Sequence, residues 1–405
     1  MVRALTLSLL LVAALPASWL PIGPDGGHVQ ALGRSDADPD RLWAVSYNYP
    51  SPPVCFRSTD RGESWSPAGE FELPDVAGLR VDPHQAGLLY ACSRGVELWR
   101  STDAGETWNI VITPGRVRAL APDPFTPGRV YGAGFTAQGA VWPQAFVSTD
   151  FGLTWSATAL DTSYGIMLCC EADPSVPGVA WCGGDSGRVF RTTDGGASWC
   201  PRSAGVARVP VLSVAVCPGD PDIVLCGTAL ELYRTTDGGA GWRAGAGPEE
   251  AFGLGFLPGE PRMALAAARD PEPRAWLSSD YGANWSAQTP DTCLFRARVL
   301  VVDTAGVAFV DGLAGVARTT DYGATWRYSN RGIRFAHAYT ITVNPRDGDE
   351  MFTGVHGCRV FRTTDAGASW NRCNGFWCIE NGMCCALAVA PGPDSTLLYA
   401  FEGYG

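Results

Sequence analysis

The chain contains no lysine: all 30 of its basic residues are arginine. That reads as the coding bias of a GC-rich genome and not as a functional signal. With 41 acidic residues the formal net charge is −11, which argues against a general nucleic-acid surface, because phosphate binding needs basic patches. Only four histidines are present, and the 14 cysteines include no C-x-x-C pair, so neither a structural zinc site nor any cofactor is expected. Long apolar runs are missing as well. The main one, Ala4 to Leu15, is about a dozen residues, short of the roughly 20 that span a bilayer. It follows Arg3 and precedes the small residues Ala17 and Ser18. Residues 1–17 therefore read as a secretory signal peptide, and 18–405 as a secreted or periplasmic chain with no membrane insertion after cleavage.

What the chain has is glycine (49) and proline (30) in a 46% hydrophobic background, the composition of many turns between short strands. It also repeats one phrase. "STDRGESW", "STDAGETW" and "STDFGLTW" are three of eight copies, ending at Trp65, Trp108, Trp155, Trp199, Trp242, Trp285, Trp326 and Trp370. Successive copies are 41 to 47 residues apart, about 44 on average, which marks a repeat architecture.

The phrase has the chemistry of a hairpin. Its aspartate (Asp60, Asp103, Asp150, Asp194, Asp237, Asp280, Asp321, Asp365) accepts nearby backbone N–H bonds in an Asx-type turn. The glycine two residues on takes positive φ without steric cost, and the tryptophan opens the returning strand with a large apolar face. About 24–27 residues before most of these tryptophans lies a turn such as Asp38-Pro39, Asp82-Pro83, Asp173-Pro174 or Asn344-Pro345, flanked by apolar strands. Each repeat thus reads as strands A, B, C and D, the dimensions of one propeller blade. The expected fold is all-β, a β-propeller of about eight or more four-stranded blades closed in a single toroid, with a solenoid as the alternative.

The phrase S/T-x-D-x-G-x-x-W resembles the Asp box, or BNR repeat, over residues 19 to 405. That superfamily includes sialidases, xyloglucanase-like endoglucanases, sortilin-like receptors and photosystem-assembly propellers. The opening "SWLPIGPDGGHVQAL" is similar to the xyloglucanase- and sortilin-like members. "SWLPIG" reads as a lone strand D and "CALAVAPGPDSTLLYAFEGYG" as strands A and B of a ninth repeat, so the chain is expected to be truncated at its C-terminus. Otherwise residues 19–24 complete the blade of residues 385–401.

Alternating strand directions put the A–B turns and boxes on one face and the B–C and D–A loops on the other. Propeller ligands usually use that second face, so the eight box aspartates read as structural. The second face offers Tyr47 and Tyr49 in "SYNYPSPP", and Trp142 in "GFTAQGAVWPQ". It also offers Arg331, Arg334 and His337 in "RYSNRGIRFAHAY", and Trp377 and Glu380 in "NRCNGFWCIENGMCC". Aromatic and arginine clusters suit glycan or protein contact, though each of these residues could simply cover a blade rim. A glycosidase needs two carboxylates at a set separation. Asp25, Asp185 and Asp311 are the weak candidates outside the boxes, and nothing in the sequence pairs them. The Arg-Ile-Pro segment of sialidases is absent. The expectation is a secreted, monomeric, non-catalytic propeller that binds an extracellular protein or glycan. The alternative is a glycoside hydrolase of the xyloglucanase-like type.

Among the cysteines, Cys373 and Cys378 form the best local disulfide candidate. Cys92, Cys182 and Cys226 share one strand slot and read as small core residues. The neighbours Cys169 and Cys170 point to opposite faces of a strand.

Overall fold

The computed structural model describes residues 26–403 except 28, 36, 47–52, 71–75, 94–96, 138, 161–162, 164, 269–273, 289–298, 302–305, 313–314, 330, 332–333, 336–337, 345–346, 356–358, 367–369, 374–382 and 392–395. The regular secondary structure of the described residues is all strand, apart from one 3-10 turn at Asp185–Gly187. Eight antiparallel four-stranded sheets follow one another along the chain, each with its strands in sequence order. These are blades 1 to 8. Their A strands are Val29–Arg34, Val76–Val81, Gly115–Pro122, Met167–Ala172, Val211–Val216, Ala251–Leu257, Val299–Val301 and Ala338–Asn344. A further pair, Met383–Pro391 with Thr396–Gly403, packs on blade 8.

Burial explains the composition of each strand. The B strands Leu42–Ser46, Leu89–Ser93, Ala180–Gly184 and Val224–Thr228 are buried at every residue, because both sheet faces meet a neighbouring blade. D strands such as Ser156–Ala159 form the outer edge, where Ser156, Ala157 and Ala159 are exposed. The A–B ladder skips one residue near its loop end in blade after blade, for example between Val76 and Gly78 and between Met167 and Cys169. Such a bulge sharpens the twist of the innermost strand.

The sheets do not all join one toroid. Blades 1 to 7 close a ring, and each junction between successive blades has its own apolar core. The closing junction sets Val29, Leu42, Phe56 and Trp65 of blade 1 against Val307, Phe309 and Val316 of blade 7. The Trp65 indole N–H donates to the Ser329 carbonyl at 2.8 Å, and the Trp65 backbone N–H to the Arg331 carbonyl at 2.7 Å. Trp242 of blade 5 makes the same two bonds to blade 4, at Arg202 and Ala204. Closure is therefore built like the junction of blades 4 and 5, whereas Trp108, Trp155, Trp285 and Trp326 donate to the carbonyls of their own box glycines. Blade 8 lies outside this ring and packs its A strand on Met383–Pro391. The eight blades expected from the repeat are present, but the single toroid containing them all is not. Residues 19–24 lie outside the described residues. The described start, Gly26–Gly27, pairs in parallel with Arg334–Phe335.

One rule recurs around the ring. The box glycine of each ring blade packs on the blade before it, on strand B at Gly62, Gly152, Gly239, Gly282 and Gly323 and against strand C as well at Gly105 and Gly196. A Cβ on Gly152 would lie 2.7 Å from Tyr90, on Gly239 2.8 Å from Trp181, and on Gly62 2.6 Å from Phe309. The glycine is needed for its left-handed φ (75° at Gly62) and for this close approach.

The cysteine slots also differ slightly from expectation. Cys182 and Cys226 are register-equivalent, opposite Cys170 and Val214, while Cys92 lies one residue further on, opposite Gly78. All three are buried.

Candidate functional site

The two faces are built as the strand order requires. On one, each box turn bonds the A–B turn of its own blade: Ala104 N–H to Gly87 C=O, Phe151 to Gly128, and Gly195 to Gly178, all at 2.9 Å. Within a box the aspartate is fully engaged. Asp103 Oδ1 accepts the Thr107 N–H at 2.8 Å and the Ser101 hydroxyl at 2.8 Å, and Oδ2 accepts the Thr107 hydroxyl at 2.5 Å. The Ser101 hydroxyl also accepts the Gly105 N–H at 2.9 Å. The pattern repeats at Asp60, Asp150, Asp194 and Asp321. Asp280 uses Asn284 instead, and Asp237, with Gly241 at that position, has only the amide. Asp365 keeps its hydroxyl bond from Thr363. Burial pushes the Asp60, Asp103, Asp150, Asp280 and Asp321 carboxyls upward, but these donors outweigh it and hold them below the ordinary range. At Asp194 the Ser198 donors dominate and bring it to about 2. Carboxylates held ionised in turns are anchors and cannot serve as general acids at neutral pH.

On the opposite face the B–C and D–A loops touch one another, as in Gly187 N–H to Val209 C=O at 2.8 Å and Gly165 N–H to Val141 C=O at 2.9 Å. Among the described residues its most developed part spans blades 3 and 4. Here the blade 3 B–C loop folds back on Thr136, whose hydroxyl donates to the Ala140 carbonyl at 2.6 Å and accepts the Trp142 N–H at 3.2 Å. That leaves Trp142 at the rim with 37% of its surface exposed. Beside it Arg116 lies over the Phe135 ring at 5.8 Å, and Gln144 Oε1 is buried with no partner among the described residues.

Gly165 links this loop to blade 4. The next residue, Ile166, donates its N–H to Asp185 Oδ2 at 3.1 Å, and its carbonyl accepts the Asp185 N–H at 3.0 Å. Asp185 Oδ1 is ion-paired with Arg188, whose second guanidinium nitrogen donates to the Ser163 hydroxyl at 2.8 Å. The turn holding Asp185 is tight: Ser186 takes φ 56°, left-handed for a non-glycine residue. Any Cβ on Gly165 would lie within 2.5 Å of Arg188 or Asp185, so a glycine there admits the ion pair. The result is an exposed indole on one loop and an oriented Asp–Arg–Ser cluster on the turn joined to it through Gly165, groups able to stack on an apolar ring and to bond hydroxyls.

The structure thus links the loop of Trp142 to the turn of Asp185 through Gly165 and Ile166. The contributions of Ser163 and Arg188 had no signal beyond the i, i+3 spacing of Asp185 and Arg188. Asp311 does not join them. It is the last but one residue of strand B in blade 7 (Ala308–Gly312), paired with Val316 in a tight hairpin, three blades from Asp185 in the ring. Arg331 and Arg334 belong to ring closure, through the Arg331 carbonyl bonded to Trp65 and the pairing of Arg334 with Gly26. Asp25, Tyr47, Tyr49, His337, Trp377, Glu380 and Cys378 lie outside the described residues. Cys373 is half-buried after the strand Asn371–Arg372, and burial raises its thiol. Among the described residues no group of three or more His, Cys, Asp or Glu side chains could hold a metal, and no helix is long and apolar enough to cross a membrane.

Comparison with known proteins agrees with this architecture. The family model for the BNR/Asp-box repeat matches residues 146–157. A xyloglucanase of Paenibacillus sp is 28% identical over 211 residues, covering 45% of this chain and 17% of that protein. Xyloglucanase Xgh74A of Acetivibrio thermocellus is 26% identical over 250 residues, covering 49% of this chain and 29% of that one. The chain spans less than a third of the length of these curated relatives. Among solved structures, an ancestral GH74 enzyme superposes with a TM-score of 0.70 at 16% identity, over 96% of this chain and 60% of that one. The chain is an Asp-box (BNR) repeat β-propeller that resembles the xyloglucanase propellers.

Proposed function

We propose that this chain is the propeller of a secreted glycoside hydrolase acting on a xyloglucan-class β-glucan, with the glucan lying across the loop face at blades 3 and 4. The observation that carries the reading is the length of the similarity to xyloglucanases. Covering 49% of this chain, it runs over more than four repeats and so is not a chance match of single boxes. The site chemistry supports it. Trp142 offers a stacking platform, the Ser163 hydroxyl a hydrogen-bonding group, and Asp185 an oriented carboxylate on the adjoining turn. Hydrolysis requires a second carboxylate at a defined separation from the first.

One observation favours a second reading, a monomeric propeller that binds glycan or protein without cleaving it. Both Asp185 oxygens are engaged, by Arg188 and by the Ile166 N–H, as expected of a residue that shapes a binding surface. A single pair of assays separates the readings: reducing-sugar release from xyloglucan, and retardation of the protein in a gel containing it. Release that is lost in Asp185→Asn supports the hydrolase. Retardation without release, weakened in Trp142→Ala, supports the binder. Neither release nor retardation overturns both.

A further inference from the structure

We propose that Cys170 and Cys182 form a disulfide that staples strands A and B of blade 4. The two residues are direct cross-strand partners in the ladder of Met167–Ala172 with Ala180–Gly184. Their sulfur atoms lie 3.3 Å apart, with the Cys182 thiol directed at Cys170. Directly opposite residues of an antiparallel pair have Cα separations inside the range that a disulfide bridges, so no backbone movement is required.

Comparison between blades isolates the pair. At the same register position blade 1 has Leu32 opposite Ala44, blade 2 Leu79 opposite Ala91, blade 3 Leu120 opposite Gly132 and blade 5 Val214 opposite Cys226. Each couples one aliphatic side chain on strand A with a small residue on strand B. Blade 4 replaces both with thiols, buried in the core shared with Ala121, Tyr131 and Ala133 of blade 3. Cys169 faces the other way, toward Val211 of blade 5, and does not compete for Cys182.

The bond forms by thiol–disulfide exchange with an external disulfide of the glutathione class. The Cys170 thiolate attacks one sulfur of that disulfide and expels the first thiolate. The Cys182 thiolate then attacks the Cys170 sulfur and expels the second. The two cysteines are oxidised, the external disulfide is reduced to two thiols, and the two cysteine protons end on the released thiols. Burial holds the Cys182 thiol well above its ordinary range, and both sulfurs are closed to solvent in the finished blade. The exchange therefore precedes the packing of blade 4 on blade 3.

The test uses the full chain refolded in a buffer of reduced and oxidised glutathione, which makes it independent of whether the chain is exported. The protein is denatured in alkylating reagent without reductant, then cut with a protease that cleaves after Glu171, which separates the two cysteines. The expected product is a reducible cross-linked peptide pair, retained in Cys169→Ala and absent from Cys182→Ala. The oxidised protein should also melt at a higher temperature than the reduced one, and Cys182→Ala, which restores the alanine of blades 1 and 2, should lessen that difference. Alkylation of both Cys170 and Cys182 in the unreduced protein overturns the proposal. So does a bridge from either of them to any other cysteine, or an oxidised-minus-reduced shift that Cys182→Ala leaves undiminished.

Discussion

The Tyr131 hydroxyl donates to Asp123 Oδ2 at 2.9 Å, and one blade later Trp181 occupies the same register position and leaves Asp173 Oδ2 buried without a partner among the described residues. Blade 2 repeats the bonded arrangement, with Tyr90 donating to Asp82 at 2.9 Å. Blade 4 instead fills the space with indole, packed edge-on against Trp242 at 6.2 Å and under Arg191 at 5.1 Å. Trp181→Tyr and Trp181→Phe remove similar volume, but only tyrosine restores the donor. A hydrogen bond to a charged group contributes about 1.5–3 kcal/mol. Trp181→Tyr should exceed Trp181→Phe in stability by about that amount in urea unfolding. Equal stabilities would mean that Asp173 already has a donor, such as a buried water.

Ring closure makes a second prediction. Gly62→Ala adds a Cβ 2.6 Å from Phe309 at φ 75°, whereas Gly139→Ala adds one at φ 76° with nothing within 4 Å. Left-handed strain alone costs about 1–2 kcal/mol, and overpacking a core adds about 1–3 kcal/mol. Denaturant unfolding should therefore show a larger loss for Gly62→Ala than for Gly139→Ala. The same loss in both would argue that blade 7 does not pack on blade 1.

Removing a box anchor should affect stability and leave binding unchanged. Asp194→Ala deletes the acceptor for the Ser198 amide and hydroxyl and the Thr192 hydroxyl. A loss of about 1–3 kcal/mol is expected, with any glucan affinity unaltered. A fall in affinity at constant melting temperature would place the boxes in the binding surface.

The same donors set an acid limit. Asp194 titrates at about 2 in the folded chain against about 4 when unfolded. A depressed folded value stabilises the protein above the unfolded pKa, and that contribution is lost as pH falls through the folded value. The melting temperature should vary little with this group from pH 7 to about 5, then drop between about 4 and 2. Asp194→Asn cannot ionise, so its deficit relative to the parent chain should shrink across that window. A deficit that stays constant down to about pH 2 would show that the carboxylate charge is not what the turn requires.

The sequence by itself determined the blade. Every bond that defines a box joins residues two to four apart, as Ser101, Asp103, Gly105 and Thr107 do, so the motif is written contiguously and can be read directly. The assignment of boxes and A–B turns to one face follows from strand alternation alone. Trp142 could be picked out because its loop lengthens one repeat to 47 residues.

Ring size was decided only by tertiary structure. Blades 7 and 8 share one local grammar. What separates them is the accumulated rotation between blades, which brings Phe309 onto Gly62 and the Ser329 carbonyl onto Trp65 across more than 240 residues. The neighbourhood of Asp185 was equally hidden. Ser163, Ile166 and Arg188 reach it from a D–A loop and the far side of a turn, and nothing in a periodic sequence marks which side chains from successive loops will meet. Local hydrogen bonds leave a local signature, whereas inter-blade packing depends on shape accumulated over the whole ring.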